Sequence, residues 1–230
     1  MVKKDSLKKI KTVGATLSNT QTGDRQRLLR EPDTRTYLKV EDARRKLWYH
    51  LRCTLGEQAV WTPDYEAVCQ WLSDNEGKGL LLYGNCGRGK SIIAMHCLPR
   101  IFYVEQGKVL NTFAAIDLLT QYDSIKEYKN IVIDDIGTEP DGREYGVGHN
   151  YVSELVDLAE RKQKMLVLTT NLTYDELLQR YGTRTMDRLH ALCRRVLFKG
   201  NSLRHPENLR KEQEAQAERR RKATKHLNDQ

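Results

Sequence analysis

The sequence predicts an α/β domain in which helices cover both faces of a mostly parallel sheet. Three observations lead there. Short apolar runs recur from LLLY at residues 80–83 to VLF at 196–198. Segments with apolar residues at helical spacing separate them, and turn clusters such as NEGKG punctuate the alternation. Strands that alternate with helices pair in parallel, because each crossover helix carries the chain back to the starting edge, and such a sheet is buried on both sides.

The elements follow in order. Residues 1–35 mix Lys, Thr, Gly, Asn, Gln and Arg without periodicity and read as mobile. Over residues 40–55, Ala43, Leu47, Trp48 and Leu51 fall on one helical face. A second helix, 63–72, opens on Pro63 and aligns Val68, Trp71 and Leu72. Strand 80–83, helix 91–104, strand 108–113, helix 116–125, strand 131–134, helix 150–162 and strand 165–169 come next. Thr173 and Glu176 make a capping-box pattern for a helix that Gly182 ends. A further helix spans 185–192 and a last strand 195–198. The tail after Pro206 is almost without large apolar residues, so it is a solvated helix or disordered.

Composition narrows the class. A chain of 230 residues has room for one well-buried α/β core with flanking segments. No apolar run nears the roughly 18 residues of a membrane span, and the basic N-terminus lacks a secretory apolar stretch, so a cytoplasmic protein without membrane contact is expected. Five cysteines without a CxxC pair argue against a disulfide framework and a zinc site. The net charge of +8 is uneven. Residues 1–60 hold 14 Lys/Arg against 7 Asp/Glu, residues 61–204 hold 18 against 19, and residues 205–230 hold 7 against 5. Three regions are expected: a basic N-terminal segment 1–60 with a partner-binding helix, a core 61–204 and a charged tail 205–230. Positive flanks suit nucleic-acid phosphates or an acidic protein surface.

The stretch GNCGRGKS, Gly84, Asn85, Cys86, Gly87, Arg88, Gly89, Lys90 and Ser91, follows a short apolar strand and precedes a helix, which is the P-loop arrangement. Glycines let successive backbone N–H groups turn inward onto phosphate oxygens, and the following helix adds its positive end. Lys90 is placed for the β and γ phosphates of ATP, and the Ser91 hydroxyl for Mg²⁺. In IVIDDIG, a buried strand ends at Asp134, placed for the metal shell, and Asp135, placed to orient or deprotonate a water. LVLTTN ends on Asn171, which can hydrogen-bond water or phosphate, or simply start a turn.

With GNCGRGKS, IVIDDIG, TTNLTYDEL, YGTRTMDRL and FKGNSLR in that order, residues 64–204 resemble the AAA+ ATPases of the DnaC/DnaI helicase-loader group, with the IstB transposition ATPases as near relatives. The resemblance implies a P-loop NTPase sheet. It also implies a trans-acting arginine finger at Arg188, with Arg184 as competitor, and a nucleotide-sensing Arg204. An arginine fork suits either role. The second acidic residue is Asp135 where many AAA+ enzymes carry Glu, which leaves slow hydrolysis with ATP as a switch open.

The resemblance implies a replication ATPase that forms a homo-oligomer in the ATP state on single-stranded DNA and docks a replicative helicase through residues 40–55 and the basic leader. An IstB-like ATPase acting with a transposase on duplex DNA stays open. So do a nucleotide-regulated DNA-binding protein with negligible turnover and, more distantly, a P-loop kinase with residues 142–148 as a lid.

Overall fold

The computed structural model describes residues 35–140, 142–144 and 147–228; all of the expected mobile leader but residue 35 lies outside them. Helix α1 (Ala43–Leu55) and α2 (Asp64–Ser73) precede strand β1 (Gly79–Gly84). Helix α3 (residues 90–106) leads to β2 (Asn111–Ala114), α4 (Leu118–Ile125) and β3 (Asn130–Asp134). A short antiparallel pair, β4 (Gly142–Glu144) and β5 (Val147–His149), occupies the stretch considered as a lid. Then come α5 (Tyr151–Arg161), β6 (Met165–Thr169), α6 (Tyr174–Leu192), β7 (Cys193–Phe198) and α7 (Pro206–Asn228).

Five strands form one sheet in the order β2-β3-β6-β1-β7, every neighbour parallel. Strand alternation splits the core in two. Leu80, Leu82, Val132, Val167, Val196 and Phe198 pack against α1, α2 and α3. Leu81, Ile131, Ile133, Leu166 and Leu168 pack against α4, α5 and α6. Each fully buried aliphatic side chain contributes about 1.5–3 kcal/mol, so three-layer packing holds the carboxyl ends of β1, β3 and β6 rigidly side by side. Gly79 is required where β1 meets β6, since a Cβ there would lie 2.0 Å from the Leu166 carbonyl oxygen.

Helix α3 has a π-helical turn over Ile93–Cys97, in which the Leu98 N–H reaches back to the Ile93 carbonyl. Pro99 accounts for it: proline has no N–H for the Met95 carbonyl and its ring crowds that turn. Helix α6 is two helices joined at Gly182, whose φ of 76° and ψ of 164° are non-helical. Its start is the expected capping box, with Thr173 N–H donating to Glu176 at 2.7 Å and Glu176 N–H to the Thr173 hydroxyl at 3.3 Å.

Helix α1 belongs to the core, with Leu47 and Leu51 buried beside α3. The tail is helical, and polar contacts hold its first turns. Asn208 donates to the Ser202 carbonyl at 3.0 Å, Gln213 to Glu57 at 3.3 Å, and the Trp61 N–H donates to Gln216 at 3.2 Å.

Candidate functional site

A cavity of about 290 Å³ opens at the carboxyl ends of β1, β3 and β6, where ligands sit in open parallel sheets. Its lining includes Gly87, Arg88, Gly89, Lys90, Ser91, Asp135, Thr169, Asn171 and Arg204. Leu55, Val60, Ile92, Leu203 and Leu209 add apolar surface to the same lining.

The loop that carries Lys90 is shaped by glycines with left-handed backbone. Gly84, Gly87 and Gly89 have φ of 107°, 71° and 94°. The Asn85 N–H donates to the Phe198 carbonyl at 2.9 Å and its side chain to Gly200 at 2.9 Å, which anchors the loop on the end of β7. Beneath it, the buried Tyr65 hydroxyl donates to the Arg88 carbonyl at 3.1 Å. Tyr65 belongs to an aromatic row from Trp48 through Trp61 to Phe198, with ring centroids 5.6–6.2 Å apart.

Lys90 is 5% exposed. Its ammonium donates to the Gly84 carbonyl at 2.8 Å, the Asn85 carbonyl at 2.8 Å and Asn171 Oδ1 at 2.9 Å. Burial holds it below the usual lysine range, against the opposing pull of Cys86, Asp135 and Asp134. Asn171 in turn donates to Asp135 Oδ1 at 2.8 Å.

Thr169, which the sequence reading passed over, organises the acidic pair. Its hydroxyl donates to Asp134 Oδ1 at 2.5 Å and accepts from the Asp135 N–H at 2.8 Å. Asp135 has φ of 62°, a left-handed conformation that costs about 1–2 kcal/mol in a non-glycine residue. Burial raises its carboxyl above the usual aspartate range, and the Asp134 charge adds to this, while Lys90, the Asn171 hydrogen bond and Arg204 oppose it. Behind the pair, buried Glu139 accepts from the Gly137 N–H at 2.6 Å and the Tyr181 hydroxyl at 2.6 Å and pairs with Arg180, tying the loop after β3 to α6.

Thus Lys90, Ser91, Asp135, Asn171 and Arg204 line one cavity, with Asp134 joined to it through Thr169. Asn85 and Cys86 are exposed on the loop. Arg184 and Arg188 do not line the cavity. Arg188 is bound within its own chain to Asp157 and, at 2.7 Å, to Glu160, whereas Arg184 is 77% exposed and 3.6 Å from Asp157.

The residues present fit a magnesium nucleotide. Lys90 already directs its donors at oxygen acceptors, and a phosphate oxygen is of the same kind. Among the described residues no group of three His, Cys, Asp or Glu side chains could hold a metal alone. A hydroxyl and a carboxylate that share Mg²⁺ with phosphate oxygens and water are the usual alternative.

The strand order, the glycine loop after β1 and the acidic end of β3 define a P-loop NTPase fold of the AAA+ type. In particular, the fold is similar to that of the DnaC helicase loader. Its crystal structure matches with a TM-score of 0.51 at 17% identity, over 67% of this chain and 99% of that one. A putative primosome component from Streptococcus pyogenes serotype M3 is also similar (TM-score 0.44, 20% identity, 70% of this chain and 82% of that one). So is DnaI (TM-score 0.44, 15% identity, 70% and 87%). No protein-family model and no curated protein matches the chain in sequence. No helix among the described residues is long and apolar enough to cross a membrane.

Proposed function

We propose that the chain binds and slowly hydrolyses ATP, and that it is a DnaC-type replication protein whose nucleotide state governs assembly on single-stranded DNA and engagement of a replicative helicase. The observation that carries the nucleotide reading is the chain Lys90–Asn171–Asp135 in a cavity that the glycine loop and Arg204 also line.

Lys90 and the loop amides bind and orient the phosphates, and Ser91 and Asp134 hold Mg²⁺, with Thr169 fixing the Asp134 carboxylate. When bound, Mg²⁺ would neutralise charge on the β- and γ-phosphate oxygens. Asp135 and Asn171 orient the attacking water, and the raised proton affinity of Asp135 lets its carboxylate accept a proton from it. Leu55, Val60, Leu203 and Leu209 exclude water around the base. Arg188 serves a neighbouring copy once released from Asp157 and Glu160, and Arg204 acts in its own chain's cavity. The DnaC-like fold supports the replication role, and the basic flanks support the DNA contact.

Negligible turnover is a second reading. It is favoured by the strained backbone of Asp135 and by Asn171 being held by both of its partners.

The test is equilibrium binding of a fluorescent ATP analogue with Mg²⁺, followed by turnover with and without single-stranded DNA. Loss of a charged hydrogen-bond partner corresponds to about 10–100-fold weaker binding for Lys90→Ala. Equal affinity in wild type and Lys90→Ala would remove the nucleotide reading. DNA affinity that does not fall with salt would remove the DNA contact.

A further inference from the structure

Arg88 is part of the P-loop, yet its guanidinium is engaged behind the loop, where it is 5% exposed. Its Nη2 lies 3.0 Å from Asp64 at the start of α2, and Nη1 donates to the Asn201 carbonyl at 3.3 Å and lies 3.7 Å from Glu212 of α7. Arg88 lines the cavity above and also a second, larger one of about 460 Å³, which Asp64, Lys199, Asn208, Lys211 and Glu212 line as well. Its Nε is buried without a hydrogen-bond partner. A buried charge assembly with an unsatisfied donor is a poor route to stability. Its geometric consequence is to join three segments to one residue of the loop.

Those segments are the ones that must move together if the cavity is to signal. The Leu203 N–H donates to the Gly87 carbonyl at 2.9 Å, so the loop that presents Arg204 hangs on the residue preceding Arg88. Glu212 is also 2.9 Å from Arg219, whose guanidinium donates to the Trp61 carbonyl at 3.5 Å. A shift of the P-loop backbone therefore reaches α7 through a relay of charged groups. Lys199, Lys211 and Arg210 near the relay face solvent and do not replace any of its members.

We infer that Arg88 is a positioning residue that couples occupancy of the nucleotide cavity to α7, making the charged C-terminal helix the part of the molecule that reports nucleotide state. This rests on the nucleotide reading above. Occupied, the P-loop fixes residue 88, the fork on Asp64 and Glu212 tightens, and α7 is held; empty, the fork has more freedom and α7 loosens. Coupling between two sites is reciprocal, so α7 contacts and nucleotide affinity must change by the same factor.

The experiment is hydrogen exchange on the full chain with and without a non-hydrolysable ATP analogue, in wild type, Glu212→Gln and Arg88→Lys. In wild type the analogue slows exchange in residues 206–219 by roughly five- to tenfold, within the usual range of coupling. In Glu212→Gln the analogue still protects the P-loop, the slowing in α7 falls below about twofold, and affinity for the analogue falls by the factor of protection lost. Arg88→Lys keeps the charge without the fork and falls between the two. Equal α7 protection in wild type and Glu212→Gln overturns the coupling, as does a bound analogue that leaves wild-type α7 unchanged. An analogue that does not bind wild type overturns the nucleotide reading, and this inference with it.

Discussion

The Lys90 ammonium donates to Asn171 Oδ1 across 2.9 Å, so the start of α3 and the segment that follows β6 are joined by a charged hydrogen bond inside the cavity. Asn171 passes the link on to Asp135. The amide thus has one end on a cation and the other on a carboxylate, which fixes its orientation. Asn171→Ala should leave analogue binding within about threefold and lower turnover by about 10–100-fold, because water orientation is lost while the phosphate cradle stays. A loss confined to affinity, with turnover kept, would assign Asn171 to binding alone.

Asp135 gives a pH signature. Its carboxyl is raised, first by burial and then by Asp134, so the fold disfavours the ionised form. The contribution to stability is complete below the unfolded value, near about 3.9, and is lost as pH rises through the folded value. Asp135→Asn cannot ionise, so its Tm should exceed that of wild type at about pH 7–8, with the difference shrinking toward about pH 4. Turnover should show the opposite trend in wild type, falling as acid protonates the group. Thermal melts and turnover across that range test both.

Arg188 is held within its own chain by Asp157 and Glu160. If those acids act as a latch, Asp157→Asn with Glu160→Gln should lower the protein concentration at which ATP-dependent assembly is half complete, by about two- to fivefold. If they instead hold the arginine in its working pose, the midpoint moves the other way. Sedimentation with ATP analogue decides. Mixing Lys90→Ala with Arg188→Ala should restore part of the turnover that each lacks alone.

Gly84 lies where β1 becomes the glycine loop. An added Cβ would stand 2.5 Å from the Phe198 carbonyl oxygen, on a backbone with φ of 107°. Gly84→Ala should cost about 2–4 kcal/mol in urea unfolding, combining backbone strain with displacement of β7. Gly107→Ala is the control: φ is 62° but nothing lies within 4 Å, so only the left-handed backbone term of about 1–2 kcal/mol remains.

Much of this was legible before the fold was known, and the reason is locality. The P-loop, the acidic pair and Asn171 each sit at a strand end, where residue type and spacing in one short stretch mark the position. The apolar part of the cavity lining was not legible. Leu55, Val60, Leu203 and Leu209 come from opposite ends of the chain and share no pattern. Strand β7 starts two residues earlier than the expected 195–198, because Cys193 and Arg194 pair with Gly79 and Leu80 while Arg194 and Arg195 disguise an edge strand as polar. Pro99 was the available sign of the π-helical turn. The docking of α7 left little hydrophobic trace beyond Leu209, since hydrogen bonds and ion pairs hold it to residues 57–61 and to the P-loop.

The bend in α6 rests on the handedness of a single residue. With φ of 76° and ψ of 164°, Gly182 occupies torsional territory closed to L-amino acids, although a Cβ built there meets no atom within 4 Å. Steric room is therefore not what reserves the position for glycine; chirality is. A chemically ligated protein with D-alanine at 182 would find these torsions favourable, whereas L-alanine would pull the two halves of α6 out of line and swing the arginine-bearing half away from α5.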